Sequence, residues 1–208
     1  MVECHKEFEQ NVILPFCREY QAGRTPNPCI FCNPTTKFGI ICQFAKEHGF
    51  DYVQDEMNNV IIYKPATPGY ENAPTVILQG HMDMVCEKRP DVQHDFEKDG
   101  LNLSVKDGYV TANGTTLGGD DGIAVAYALA LLDSTDLPHP ALEVLITVDE
   151  EIGLLGAVGL DCSVLKGKRM INMDSEAEGS LWISCAGGLS AVSHIPVARV
   201  DAEGENFR

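Results

Sequence analysis

From about residue 40 onward, apolar and polar positions alternate in blocks that read as strands and helices taking turns. Ile41 to His48 reads as the end of a helix closed by Gly49. Asn59 to Tyr63 (NVIIY) is a β-branched strand, and Pro65 to Pro74 is a loop. Thr75 to Leu78 (TVIL) is a continuous apolar run, as expected of a strand buried on both faces. Gly114 to Gly122 forms a glycine-rich turn, and Ile123 to Leu132 (IAVAYALALL) is apolar all round, which predicts a buried helix. Leu142 to Val148 (LEVLITV) and Arg169 to Met173 supply two more strands. The alternation predicts an α/β domain.

Before residue 40 the pattern differs. Phe8, Val12, Phe16 and Tyr20 recur every four residues, predicting an amphipathic helix over Lys6 to Tyr20. Gly23 ends it, and Pro26, Pro28 and Pro34 impose an irregular loop carrying Cys29-Ile30-Phe31-Cys32. A lone C-x-x-C is open to three readings: half a zinc site, a redox pair, or two neighbouring cysteines without a shared task. No second C-x-x-C follows, which disfavours a structural zinc.

The chemistry-bearing residues gather where apolar runs end. His81 and Asp83 follow the strand ending at Leu78, Asp149-Glu150-Glu151 follow Val148, and Asp174 follows Met173. Asp120 and Asp121 open the apolar helix. Ligands of open α/β sheets lie at the carboxyl ends of strands, so four acid-bearing positions of this kind mark one site. On an extended segment residues i and i+2 share a side, which lets Asp83 orient the His81 imidazole. An acid at the first turn of a helix also gains from the helix dipole by about 0.3–1 kcal/mol, which accounts for one of the Asp120–Asp121 pair but not for both. Three adjacent carboxylates either fan into water or are held by cations. One imidazole and several carboxylates are the ligand inventory of a two-metal hydrolase lacking a second imidazole.

Charge narrows the partners. The chain has 208 residues and a formal net charge of -16, against the basic surface that nucleic acids or anionic membranes require. Residues 1–39 sum to zero, so all the net charge lies beyond them. No stretch reaches the roughly 18 apolar residues of a membrane span, and MVECHKEFEQ lacks the apolar core of a signal peptide. These features predict a cytosolic protein with its eight cysteines reduced.

Two resemblances add to this. The run KEFEQNVILPFCREYQAGRTPNPCIFCNPTTKFG is similar to a segment of the tRNA 2-thiouridylase family, which implies that Cys32 matches a catalytic cysteine. That family's SGG-x-DSS nucleotide loop is absent, so sulfur transfer to tRNA is the secondary expectation. From about residue 41, NNVIIYKPATPGYENAPTVILQ, GHMDMVCEK, GTTLGGDDGIAVAYALALL, EVLITVDEEIGLLGA and INMDSEAEG resemble the aminoacyl-histidine dipeptidase family of di-zinc metallopeptidases.

The second resemblance implies a zinc-exopeptidase-like catalytic domain with a mixed, mostly parallel sheet flanked by helices. It implies hydrolysis of dipeptides of Xaa-His type, with two Zn2+ per site or Co2+ or Mn2+ in their stead. His81 and Asp174 would bind one metal, Asp120 both, and Glu151 the second; Glu150 would be the general base and Asp83 would orient His81. Asp121 receives no role. The second metal's histidine lies in family members beyond the lid domain, so the Glu151 side is expected to lack it. His5, His48, His94, His139 and His194 read as surface or packing residues. The expected organisation is a thiouridylase-like segment over 1–39, a partial catalytic domain over 40–188, and the start of a lid over 189–208, with strands at Leu181 to Cys185 and Leu189 to Pro196. Exposed sheet edges predict a homo-oligomer. The expected partner is a small peptide.

Overall fold

A computed structural model describes residues 38–96, 99–175, 179–185, 187–188 and 191–197, with isolated positions Gln10, Leu14, Pro15 and Arg18. Apart from those positions, the helix expected over Lys6 to Tyr20 and the loop with Cys29 and Cys32 lie outside the described residues. The chain divides into two units, residues 1–175 and 176–208.

Within the first unit, helix α1 spans Phe38–Glu47. Strands β1 (Asp51–Gln54), β2 (Val60–Lys64) and β3 (Val76–His81) follow. A hairpin of β4 (Leu103–Lys106) and β5 (Tyr109–Ala112) precedes helix α2 (Gly119–Asp133). Strand β6 (Leu142–Thr147), helix α3 (Leu155–Gly159), a 3-10 turn at Cys162–Val164 and strand β7 (Arg169–Asn172) complete it. Five strands form one sheet in the order β1-β2-β6-β3-β7. β6, β3 and β7 pair in parallel, whereas β2 is antiparallel to both β1 and β6, so four strands run one way and one the other. This is the mixed, helix-flanked sheet the resemblance implies.

The two faces of the sheet follow from the pleat. Val60, Ile62, Leu78, Val144 and Ile146 pack on one side against Ile41 and Ala45 of α1 and Ala128 and Leu132 of α2. Ile61, Ile77 and Leu145 face the other way, toward Leu160, Val164 and Leu165. Every residue of β6 is buried, as suits the central strand. Among them is Glu143, whose carboxylate accepts the backbone N–H groups of Lys166 and Gly167 at 2.9–3.1 Å and so anchors the loop before β7. Lys64, at the end of β2, donates from Nζ to the carbonyls of Leu131, Leu132 and Ser134 at 2.8, 2.9 and 2.6 Å. These are carbonyls that the end of α2 leaves without helical partners.

Several expectations change. The apolar helix was expected buried all round, but α2 buries one stripe, Ala124, Ala128 and Leu132, and leaves Ile123 53% and Tyr127 61% exposed. Only one side of it meets the sheet. The strand expected to stop at Leu78 continues through His81, because its ladder with β6 pairs Gly80 with Ile146 and His81 with Thr147. The hairpin and the short edge strand β1 were not anticipated. Leu181 to Cys185 is not a strand, and neither are the described residues of Leu189 to Pro196. A strand needs a ladder partner, and none pairs with either segment among the described residues.

Candidate metal centre

Three strand ends and the start of α2 bring the acidic residues together around one imidazole. His81 is the last residue of β3 and only 1% exposed. Its Nε2 edge meets Oδ1 of Asp120 at 3.1 Å, with carboxylate oxygens of Asp174 at 3.9 Å and Glu150 at 4.0 Å. Its Nδ1 edge lies 3.1 Å from the Asp83 carbonyl and 3.3 Å from the Asp83 carboxylate. The two edges of the ring thus meet different acids. Asp83 does more than face the ring: its two carboxylate oxygens accept the backbone N–H groups of Glu150 and Glu151 at 3.1 and 3.0 Å. It ties the loop after β6 to the loop after β3.

Asp120 and Asp121 lie at the entry of α2 but have non-helical backbone angles, and regular helix begins after them. The peptide bond between them is cis. The two carboxylates have separate environments. Asp120 meets the imidazole and is 58% exposed at its side chain. Asp121 is buried, and its Oδ2 accepts the His81 N–H at 3.2 Å. It also takes a bond from the Ala124 backbone, as a helix-capping acid does. Gly80 permits this approach: a Cβ there would stand 2.6 Å from both Asp121 Oδ2 and Ala124 Cβ.

The electrostatics record crowding. Burial pushes the Asp121 carboxyl up to about 6, and the charge of Asp174 adds to this against the hydrogen bonds from His81 and Ala124. Burial likewise raises Glu150, helped by Asp174, Glu151 and Asp83 and opposed by His81. Burial alone would lower the His81 pKa, but the Asp120 hydrogen bond and the charges of Asp83, Asp174 and Glu150 outweigh it and raise it above its ordinary value. Several carboxylates gathered around one imidazole, two of them raised by burial, form a donor set that fits divalent cations.

Two groups of potential donor atoms each fall within 4.8 Å: His81, Asp121 and Asp174, and His81, Glu150 and Glu151. His81 is the only histidine in either group among the described residues. His48 pairs with Asp133, and His139 turns its Nδ1 to the Pro140 carbonyl. Next to the acids, Leu145, Leu154, Leu160 and Met170 line a cleft of about 280 Å³ whose wall includes Glu150 and Asp174.

All six residues singled out from the sequence, His81, Asp83, Asp120, Glu150, Glu151 and Asp174, therefore converge on one place. Asp121 was not assigned a role, and nothing in residue type distinguishes it from Asp120. Gly80 was signalled only by its position beside His81.

Residues 77–180 match the model of peptidase family M20/M25/M40. The chain is 45% identical over 170 residues to the cytosol non-specific dipeptidase of Escherichia coli, covering 81% of this chain and 35% of that protein. The crystal structure of aminoacylhistidine dipeptidase from Vibrio alginolyticus superposes with a TM-score of 0.66 at 48% identity, over 68% of this chain and 29% of that one. That of aminopeptidase PepT from Bacillus cereus gives 0.54 at 30% identity, over 67% and 37%. The chain thus spans about a third of the length of these peptidases. Residues 1–55 match a tRNA methyl transferase HUP domain model. A 45-residue stretch is 58% identical to tRNA-specific 2-thiouridylase MnmA of Desulforudis audaxviator, covering 22% of this chain and 13% of that protein. The first of these two matches runs on through α1 and β1.

Proposed function

This chain belongs to peptidase family M20/M25/M40, and from that premise we propose that it carries the catalytic centre of a metal-dependent dipeptide hydrolase acting on small peptides of Xaa-His type in the cytosol. The single observation that carries the reading is the two-sided environment of His81, with Asp120, Asp174 and Glu150 on its Nε2 edge and Asp83 on its Nδ1 edge.

His81, Asp120 and Asp174 would hold one Zn2+, and Asp120 with Glu151 a second, with Co2+ or Mn2+ as alternatives. Asp120 is the shared ligand in this reading because it meets the imidazole directly, whereas Asp121 is engaged by backbone donors. When bound, the cations would lower the pKa of a water molecule and polarise the scissile carbonyl. The remaining work falls to side chains. Asp83 accepts from Nδ1 of His81, which leaves Nε2 as the ligating nitrogen. Glu150, whose pKa is raised, takes the proton of the attacking water and passes it to the leaving amine. Peptide is a better match than nucleic acid to a chain of net charge -16. The 2-thiouridylase resemblance covers too small a share of those proteins to extend the reading to tRNA.

The test is hydrolysis of an Xaa-His dipeptide by the zinc-loaded chain and by Glu150→Gln. The expected result is turnover by the unaltered chain, reduced about 10²–10⁴-fold in the variant with zinc uptake unchanged. Equal turnover by the two, or none by the zinc-loaded chain, would overturn the reading.

A further inference from the structure

The two glutamates of the site ride on a loop that leaves β6 at Val148 and returns at Gly156. Its backbone is unusual, since Asp149 (φ 52°) and Leu154 (φ 59°) both adopt left-handed angles without being glycine. Residues in that region persist only where their surroundings over-determine them. At the tip of the loop the constraint is Asp83, through the N–H groups of Glu150 and Glu151. At its base the constraint comes from a residue 89 positions earlier in the chain than Val148.

That residue is Asn59, at the entry of β2, with no exposed surface. Its Oδ1 accepts the Val148 N–H at 3.2 Å and its Nδ2 donates to the Gly156 carbonyl at 2.9 Å. One amide group therefore spans the two points where the loop departs and returns. The Gly156 N–H closes the same base by donating to the Val148 carbonyl at 3.1 Å. Asn59 is itself fixed by Asp55, whose two carboxylate oxygens accept its backbone N–H at 2.8 Å and its Nδ2 at 2.7 Å. Both Nδ2 hydrogens and the Oδ1 are thus committed, leaving the amide no alternative orientation. Gly156 completes the fit, since a Cβ there would lie 2.3 Å from the Val148 carbonyl oxygen and 2.6 Å from Asn59 Oδ1.

We propose that Asn59 is a positioning residue for the reaction, acting by clamping the base of the loop that presents Glu150 and Glu151. The inference rests on the reading of Glu150 as the proton carrier. It separates Asn59 from ordinary core residues. Loss of packing alone lowers the folded fraction, whereas loss of the clamp displaces a catalytic group within molecules that remain folded.

The experiment combines steady-state kinetics of the zinc-loaded full chain with backbone hydrogen exchange. It compares Asn59→Ser, the milder Asp55→Asn and Gly156→Ala, which disturbs the clamp from the opposite side. Lys64→Met serves as a control that weakens the fold away from the loop. The expected result is a fall of about 10–100-fold in kcat at unchanged KM in the clamp variants. Exchange protection should be lost at residues 148–156 and kept in β3, and the control should retain kcat. Unchanged protection at 148–156 in the folded clamp variants, or unchanged kcat despite its loss, would overturn the proposal. If the unaltered chain has no turnover, the peptidase reading fails, and the exchange profile alone decides whether the clamp exists. Should Asn59→Ser not fold, Asp55→Asn and Gly156→Ala decide the question by the same two measurements.

Discussion

Nδ1 of His81 lies 3.3 Å from Oδ1 of Asp83, and that carboxylate also holds the backbone of Glu150 and Glu151. One side chain therefore sets both the imidazole and the loop opposite it. Asp83→Ala is expected to weaken zinc affinity about 10–100-fold, because the ring loses its orienting partner. It should also cost about 1–3 kcal/mol of stability, because two N–H groups lose their acceptor. Calorimetric zinc titration and urea unfolding measure the two effects separately. A variant that lost stability but kept full affinity would show that Asp83 serves the loop alone.

Gly80→Ala should separate β3 from the start of α2. The new methyl would meet Asp121 Oδ2 and Ala124 Cβ at 2.6 Å, and both are backed by helix. Overpacking of this kind costs about 1–3 kcal/mol. The loss should appear in urea unfolding together with weaker zinc binding, since His81 and Asp120 no longer meet.

Lys64→Met removes three donors from the last carbonyls of α2. Hydrogen bonds from a charged donor are worth about 1.5–3 kcal/mol net, and the aliphatic stem of methionine restores only the packing. The expected outcome is a drop of about 1–3 kcal/mol in unfolding free energy without any change in zinc stoichiometry.

Thiol labelling checks the packing of α1. Cys42 is buried against the sheet, and burial raises its pKa, so little thiolate forms near neutral pH. Cys86 and Cys162 are free and exposed. A maleimide reagent at neutral pH should modify Cys86 and Cys162 in the folded chain and spare Cys42, as read by peptide mass spectrometry. Modification of Cys42 at the same rate would mean that α1 does not seat as described.

Much of the centre was legible in the chain because its signal is positional. His81, Glu150, Glu151 and Asp174 each follow an apolar run, and parallel pairing of β6, β3 and β7 carries those run ends to one edge of the sheet. The His81–Asp83 relation also follows from spacing. Other features depend on tertiary contact. Asp121 and Asp120 are adjacent and chemically identical, and only the turn between them sends one to backbone donors and the other to the imidazole. Asn59 reads in sequence as an ordinary strand-entry residue, and its partners Val148 and Gly156 lie 89 and 97 residues away. The hairpin, by contrast, carries a local signal. Asp107-Gly108, with φ of 53° and 84°, is the turn pair favoured by two-residue hairpins, and Leu103 to Val105 and Tyr109 to Thr111 flank it. The exposed stripe on α2 was not readable, because an all-apolar helix carries no mark of which face lacks cover.

The most direct test is zinc uptake by the purified, chelator-stripped chain, measured beside Asp120→Ala. The arrangement predicts one tightly held zinc on His81, Asp120 and Asp174 and a second, weaker one that uses Glu151, both lost when Asp120 is removed. Absence of uptake by the unaltered chain, or uptake that Asp120→Ala leaves unchanged, would contradict it.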